Sequence, residues 1–78
     1  MLDIQEASAK ARVAFLALHP DVRDDDVRLA EVELTDDDRL WSVTIAYHDD
    51  EVSGIGKFKV LGLDAETGQV RSVRIRTL

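Results

Sequence analysis

The sequence predicts an α+β fold in which one N-terminal helix packs on a four-stranded antiparallel β-meander. Three observations predict it. The first eighteen residues carry a single apolar stripe of helical period, with Ile4, Ala7, Ala11, Ala14, Phe15 and Leu18 spaced by three, four and one. Four later segments, at about 28–34, 40–47, 57–63 and 69–76, are rich in β-branched, aromatic and alternating residues. Most of the connections between them are short turns, which join strands only as antiparallel neighbours. At 78 residues the chain is one domain, 1–78, too small for a second domain or a large enclosed pocket.

The helix is predicted over about residues 4–18. Asp3 followed by Glu6 forms a capping-box pattern, and both acids suit the positive helix end. Pro20 disfavours helical geometry at His19, so the helix ends near Leu18 or His19. The alanines at 7, 9, 11, 14 and 17 leave a slim rod able to lie close against a sheet.

The first strand alternates, with Ala30, Val32 and Leu34 on one side and Glu31 and Glu33 on the other. Thr35-Asp36-Asp37-Asp38-Arg39 is turn chemistry, because Asp side chains bond nearby backbone groups and tolerate unusual dihedrals. The second strand places Trp41, Val43, Ile45 and Tyr47 on one face and Leu40, Ser42, Thr44 and Ala46 on the other. After a longer polar loop, the third strand sets Phe58 and Val60 against Lys57, Lys59 and Leu61. Asp64-Ala65-Glu66-Thr67-Gly68 reads as a tight hairpin ending in a glycine of positive φ. Val70, Val73 and Ile75 break alternation in the last strand, which predicts a bulge there. Phe15, Trp41 and Phe58 are expected to make the main contact between helix and sheet. Leu40, Ala46, Leu61 and Leu63 are expected on the opposite face, which would give the sheet apolar character on both sides.

Composition narrows the function. Apolar residues make up 45% and charged residues 33%, which excludes disorder as the reading. No cysteine is present, so disulfides, thiolate chemistry and cysteine metal sites are out, in keeping with a reducing compartment. Sixteen acids against ten bases, a net charge of −6, oppose generic binding to nucleic acid or anionic membranes. The opening Met1–Glu6 has no basic stretch, and the longest apolar run, Val13–Leu18, is far too short to span a bilayer. A cytoplasmic location is the expectation. Seven arginines to three lysines, with abundant alanine, aspartate and valine, suggest a GC-rich bacterial genome.

Charge is unevenly placed. Residues 21–51 hold twelve acids and three bases, whereas residues 52–78 hold two acids and five bases. The five are Lys57, Lys59, Arg71, Arg74 and Arg76, which fall on adjacent strands and are the candidate partner-binding residues, expected in part to form a cationic patch on the exposed face. The plainer reading is cross-strand pairing with Glu31, Glu33 or turn acids. The sharper reading is a docking surface for an acidic partner, or head-to-tail association between unlike halves.

The run Phe58-Lys59-Val60-Leu61-Gly62-Leu63-Asp64-Ala65-Glu66-Thr67-Gly68-Gln69-Val70, placed at the end of a helix-then-strands order, resembles the closing hairpin of PepSY-like domains. In that family an aromatic residue and a valine on one strand lead into an Asp-Ala-x-Thr-Gly turn and a short apolar strand. Asp64, Ala65, Thr67, Gly68 and Val70 occupy those places here. The likeness covers the whole chain in topology and about a dozen residues in motif. It implies a PepSY-like or cystatin-like architecture and a non-catalytic role; secreted relatives are thought to restrain peptidases. The absence of a signal peptide departs from that pattern and leaves a cytoplasmic protein-binding module as the implied function, with a structural homo-oligomer, dimeric through the open sheet face, as the alternative.

Other candidate chemistry is weaker. Asp24-Asp25-Asp26, Asp36-Asp37-Asp38 and Asp49-Asp50-Glu51 offer hard oxygen ligands, but none has the spacing of a calcium loop, and solvated turns account for them. His48 beside Asp49 is not a hydrogen-bonded pair by contiguity, since neighbours in a strand point to opposite faces. His19 at the helix end suits a structural interaction with the helix dipole. Ser42 and Ser53 lack a nucleophile-elbow context, and Gly54-Ile55-Gly56-Lys57 lacks the spacing and hydroxyl of a phosphate loop. No catalytic residue, metal site, cofactor or small-molecule substrate is therefore assigned, and the partners expected are protein or a second copy, with no nucleic acid and no membrane.

Overall fold

A computed structural model describes residues 1–48 and 56–76. Helix α1 spans Ile4–Leu18 and is followed by a short 3₁₀ turn at Asp24–Asp26. Strands β1 (Val27–Leu34), β2 (Leu40–His48), β3 (Gly56–Asp64) and β4 (Val70–Arg76) then form one antiparallel sheet in the order β1-β2-β3-β4. The fold class is the one the sequence predicts, and the element bounds agree to within a residue.

Local chemistry explains the ends of each element. The Asp3 carboxylate accepts the Glu6 N–H at 2.8 Å while Glu6 accepts the Asp3 N–H at 3.2 Å, a complete capping box. At the other end the His19 N–H donates to the Phe15 carbonyl, and the chain leaves the helix before Pro20. In the first hairpin the Thr35 hydroxyl donates to Asp37, and Asp38 takes a positive φ of 58°. In the last, Gly68 has φ 77° and its N–H donates to the Asp64 carbonyl at 2.8 Å. Gly68 therefore does what its position in the sequence predicts.

The buried core joins Ala7, Ala11 and Phe15 of the helix to Val27, Val43, Ile45, Tyr47, Leu61 and Leu63 of the sheet, with Trp41 half-buried at its margin. Two expectations are corrected here. Phe58 is not a core residue, and Leu61 and Leu63 are not on the open face. The register pairs Trp41 with Leu63 and Val43 with Leu61, and residues directly opposite in an antiparallel pair share a face. Leu61 and Leu63 thus lie fully buried under the helix, while Phe58 pairs with Ala46 on the far side and is half-buried there. Trp41 makes a peripheral contact in which its indole N–H donates to the Leu2 carbonyl at 3.2 Å, tying the N-terminal segment to the sheet. The apolar residues expected on the open face reduce to Leu40 and Ala46, joined there by Phe58 and Val60.

A third correction concerns β1. Leu29 pairs with Ile45 and Glu31 with Thr44, so Ala30 is an extra residue in a β-bulge. Leu29, Val32 and Leu34, rather than Ala30, Val32 and Leu34, occupy the helix side. The bulge predicted in β4 is present: Gly62 pairs with Ser72 and Leu63 with Val70, which leaves Arg71 as the extra residue.

The helix packs on β1, β2 and β3. On β4 the side chains on the helix side stay exposed, with Val73 at 40% and Ile75 at 76%. No helix among the described residues is long and apolar enough to cross a membrane.

Candidate functional site

The face of the sheet away from the helix forms a shallow concavity of about 430 Å³ lined by Glu31, Glu33, Ser42, Thr44, Val60 and Arg74, and bordered at the outer strand by Ile75, whose register position is on the helix side. Its make-up follows from alternation and register. Glu31 and Glu33 on β1 stand opposite Thr44 and Ser42 on β2, Thr44 stands opposite Val60 on β3, and Val60 opposite Arg74 on β4. The floor is short: Ser42, Thr44, Gly62 and Ser72 have no long side chain, and a Cβ added at Gly62 would lie 2.5 Å from the Ser72 hydroxyl. Thr44 is 4% exposed although it belongs to the open face. The result is a polar valley with carboxylates along one bank and a guanidinium on the other.

The five candidate cations do not share this surface. Lys57 and Lys59 pair with Tyr47 and Ile45 and lie on the helix side. Arg71, the bulge residue, donates to the Asp64 carboxylate at 3.0 Å. Arg74 faces the valley, and Arg76 occupies the register position opposite Phe58, its side chain lying outside the described residues. The expected patch is split because Arg74 pairs with Val60 and not with Lys59, so the lysines of β3 and the arginines of β4 alternate out of phase. For Arg71 the plainer reading, pairing with a turn acid, holds.

A second cluster gathers at the C-terminal end of the helix. The His19 ring stacks on Phe15 at 4.7 Å and lies 5.4 Å from Tyr47, which packs against Phe15 at 4.8 Å. Lys59 Nζ is 2.6 Å from His19 Nε2. His19 therefore serves as an aromatic wedge against Phe15 and Tyr47, with Lys59 within hydrogen-bond reach at the helix end. Nothing in the sequence marked Lys59 and His19 as neighbours, since forty residues separate them.

The acidic clusters are turn structure where they are described. The Asp24 carboxylate accepts from Arg12 Nε at 2.8 Å, which holds the carboxyl below its usual range, while Arg12 Nη2 donates to the Asp24 backbone carbonyl and ties the helix to the 3₁₀ turn. Asp37 is likewise lowered, first by the Thr35 hydroxyl and then by the Arg39 N–H. Asp64 accepts the N–H groups of Thr67 and Glu66 together with Arg71, which brings its pKa down to about 2. Among the described residues no three His, Asp or Glu side chains are grouped to hold a metal ion. The His48 side chain, Asp49-Asp50-Glu51, Ser53 and Gly54-Ile55-Gly56 lie outside the residues whose side chains are described.

Comparison with known proteins found no matching family model, no matching curated protein and no matching solved structure.

Proposed function

We propose that this chain is a non-catalytic, PepSY-like module that works in the cytoplasm by binding another protein through its sheet. The observation that carries this reading is the incomplete cover of the sheet. The helix packs on three strands and leaves Val70, Val73 and Ile75 exposed along the fourth. Exposed apolar residues grouped on one element mark interaction surfaces more often than isolated ones do. The Asp-Ala-x-Thr-Gly turn at Asp64–Gly68 and the helix-then-meander order support the PepSY-like assignment.

A second reading, a homodimer closed through the open face, draws on the valley's charge layout. A two-fold axis parallel to the strands would set the Glu31 and Glu33 bank of one copy over the Arg74 bank of the other. Light scattering from micromolar to millimolar protein separates the two. A monomer throughout supports the binding module. A dimer that dissociates on Arg74→Glu, and re-forms when Arg74→Glu is combined with Glu33→Lys, refutes the module in favour of self-association.

A further inference from the structure

The sheet has two outer edges, β1 and β4, and they are not equivalent as sites for another strand. In β1 the extra residue Ala30 falls in the middle, so the ladder stops after Leu29 and resumes at Glu31. A mid-strand bulge breaks the regular row of N–H and C=O groups that an added strand needs, and is a common protection of exposed edges. In β4 the irregularity falls at Arg71, beside the hairpin. Ser72 to Arg76 therefore pair one for one with Gly62 to Phe58 and form an unbroken run of five residues.

The two sides of that run ask for different chemistry. On the helix side Val73 and Ile75 are exposed. Edge strands that avoid pairing usually carry a charge pointing inward at such positions, and here the positions are aliphatic. On the open side stands Arg74, and the strand from Val70 to Arg76 contains three arginines and no acid. A strand added alongside would place alternate residues on the two sides. Its apolar residues would flank Val73 and Ile75, and its acids would flank Arg74.

Among the described residues, neither sheet edge of a second copy supplies a good match. A second β4 would bring one arginine-rich strand against another. The β1 of a second copy has the right alternation in Glu31-Val32-Glu33-Leu34, but that edge is interrupted at Ala30. We infer that the outer edge of β4 receives, as a fifth strand, an extended segment of a partner protein in which apolar and acidic residues alternate. This inference rests on the protein-binding reading and specifies the edge and the partner's chemistry.

The test is selection of random twelve-residue peptides displayed on phage against the full chain, followed by anisotropy titration of the enriched peptides. Enriched sequences are expected to alternate acidic and apolar residues and to protect the amides of Ser72–Arg76 from hydrogen exchange. Arg74→Glu and Ile75→Lys should each weaken binding by about tenfold or more, equivalent to at least about 1.4 kcal/mol, and Glu33→Lys on β1 by less than about twofold. Ile75 is largely exposed, so Ile75→Lys should melt as the parent does. Peptides that lack the alternation, keep their affinity for Ile75→Lys, or lose it on Glu33→Lys instead overturn the edge assignment and leave the protein-binding reading standing. No enrichment over a bare surface also overturns it, whereas the protein-binding reading falls to a different result, the charge-swappable dimer seen by light scattering.

Discussion

Truncating the two phenylalanines one at a time tests the register of β3, on which every statement about the two faces of the sheet depends. A slip of one residue in that strand would exchange its faces, burying Phe58 and exposing Leu61 and Leu63. Phe15 is fully buried, stacks on His19 at 4.7 Å and packs on Tyr47 at 4.8 Å. Phe15→Ala removes the ring and leaves a cavity that a close-packed core cannot refill, at a cost of about 3–5 kcal/mol. A chain of this length has a total stability of about 4–12 kcal/mol, so the variant should be largely destabilised and in part unfolded. Phe58 lies on the open face opposite Ala46, where solvent replaces the lost ring and only a cross-strand contact is given up, about 1 kcal/mol or less. Urea unfolding followed by Trp41, the single tryptophan, reads both variants without altering the reporter. Should Phe15→Ala not fold, the milder Phe15→Leu, which keeps an aliphatic side chain in the core and leaves a smaller cavity, keeps the comparison with Phe58→Leu measurable. A Phe58 truncation that costs as much as the Phe15 truncation would refute the assigned faces.

Three further outcomes follow from local geometry. Asp3→Ala removes the side-chain half of the capping box and should cost about 1 kcal/mol, seen as a lower urea midpoint with an unchanged slope. Gly68→Ala forces a Cβ into a positive-φ position, where it would collide with the Lys10 side chain and touch Leu2 Cδ1 at 3.0 Å; the backbone conformation alone should cost about 1–2 kcal/mol of stability, read as a lower melting temperature. Asp64 has its pKa lowered from 3.8 to about 2, so its charged form is favoured in the fold; that stability is fully present above the unfolded value and is lost as the pH falls from about 4 to about 2. Asp64→Asn should therefore be less stable than the parent at neutral pH, and the gap in urea midpoint should close over that acidic window; a gap that stays constant down to pH 2 contradicts the assigned hydrogen bonds.

What the sequence discloses about this fold is what local chemistry decides. The helix is legible because its stripe, its Asp3–Glu6 box and its Pro20 stop all lie within twenty residues. The closing turn is legible because only a residue tolerant of positive φ fits position 68. The face of β3 is not local. Phe58 and Val60 alternate with Leu61 and Leu63 across a strand that is apolar on both sides, and alternation alone does not say which side turns inward. That is settled by pairing with β2, through Trp41 to Leu63 and Val43 to Leu61. The split of the cations has the same origin: Lys59 and Arg74 are on adjacent strands, but the partner of Arg74 is Val60. The bulge at Ala30 leaves no mark in the sequence because residues 30 to 34 alternate without a break, so pattern and pairing part only at Leu29 and Ala30.

The uncovered strand follows from the dimensions of the elements. A helix with its side chains is about 10–12 Å across, while four strands spaced by about 4.8 Å span about 14 Å between their outer axes before side chains are added. One helix therefore cannot shield the whole of a four-stranded sheet, and some edge must keep apolar residues in water. Which edge is decided by the ties of the helix. Arg12 bonds Asp24 at the entrance to β1, Phe15 packs on Tyr47 of β2, and Lys59 of β3 reaches His19, so the rod is anchored toward the first three strands. On β1 Leu29 is also 39% exposed, but the bulge beside it interrupts that edge, whereas the regular run of β4 leaves its edge able to pair. The same placement that builds the core thus leaves β4 as the edge whose apolar residues stay in water and whose ladder runs unbroken.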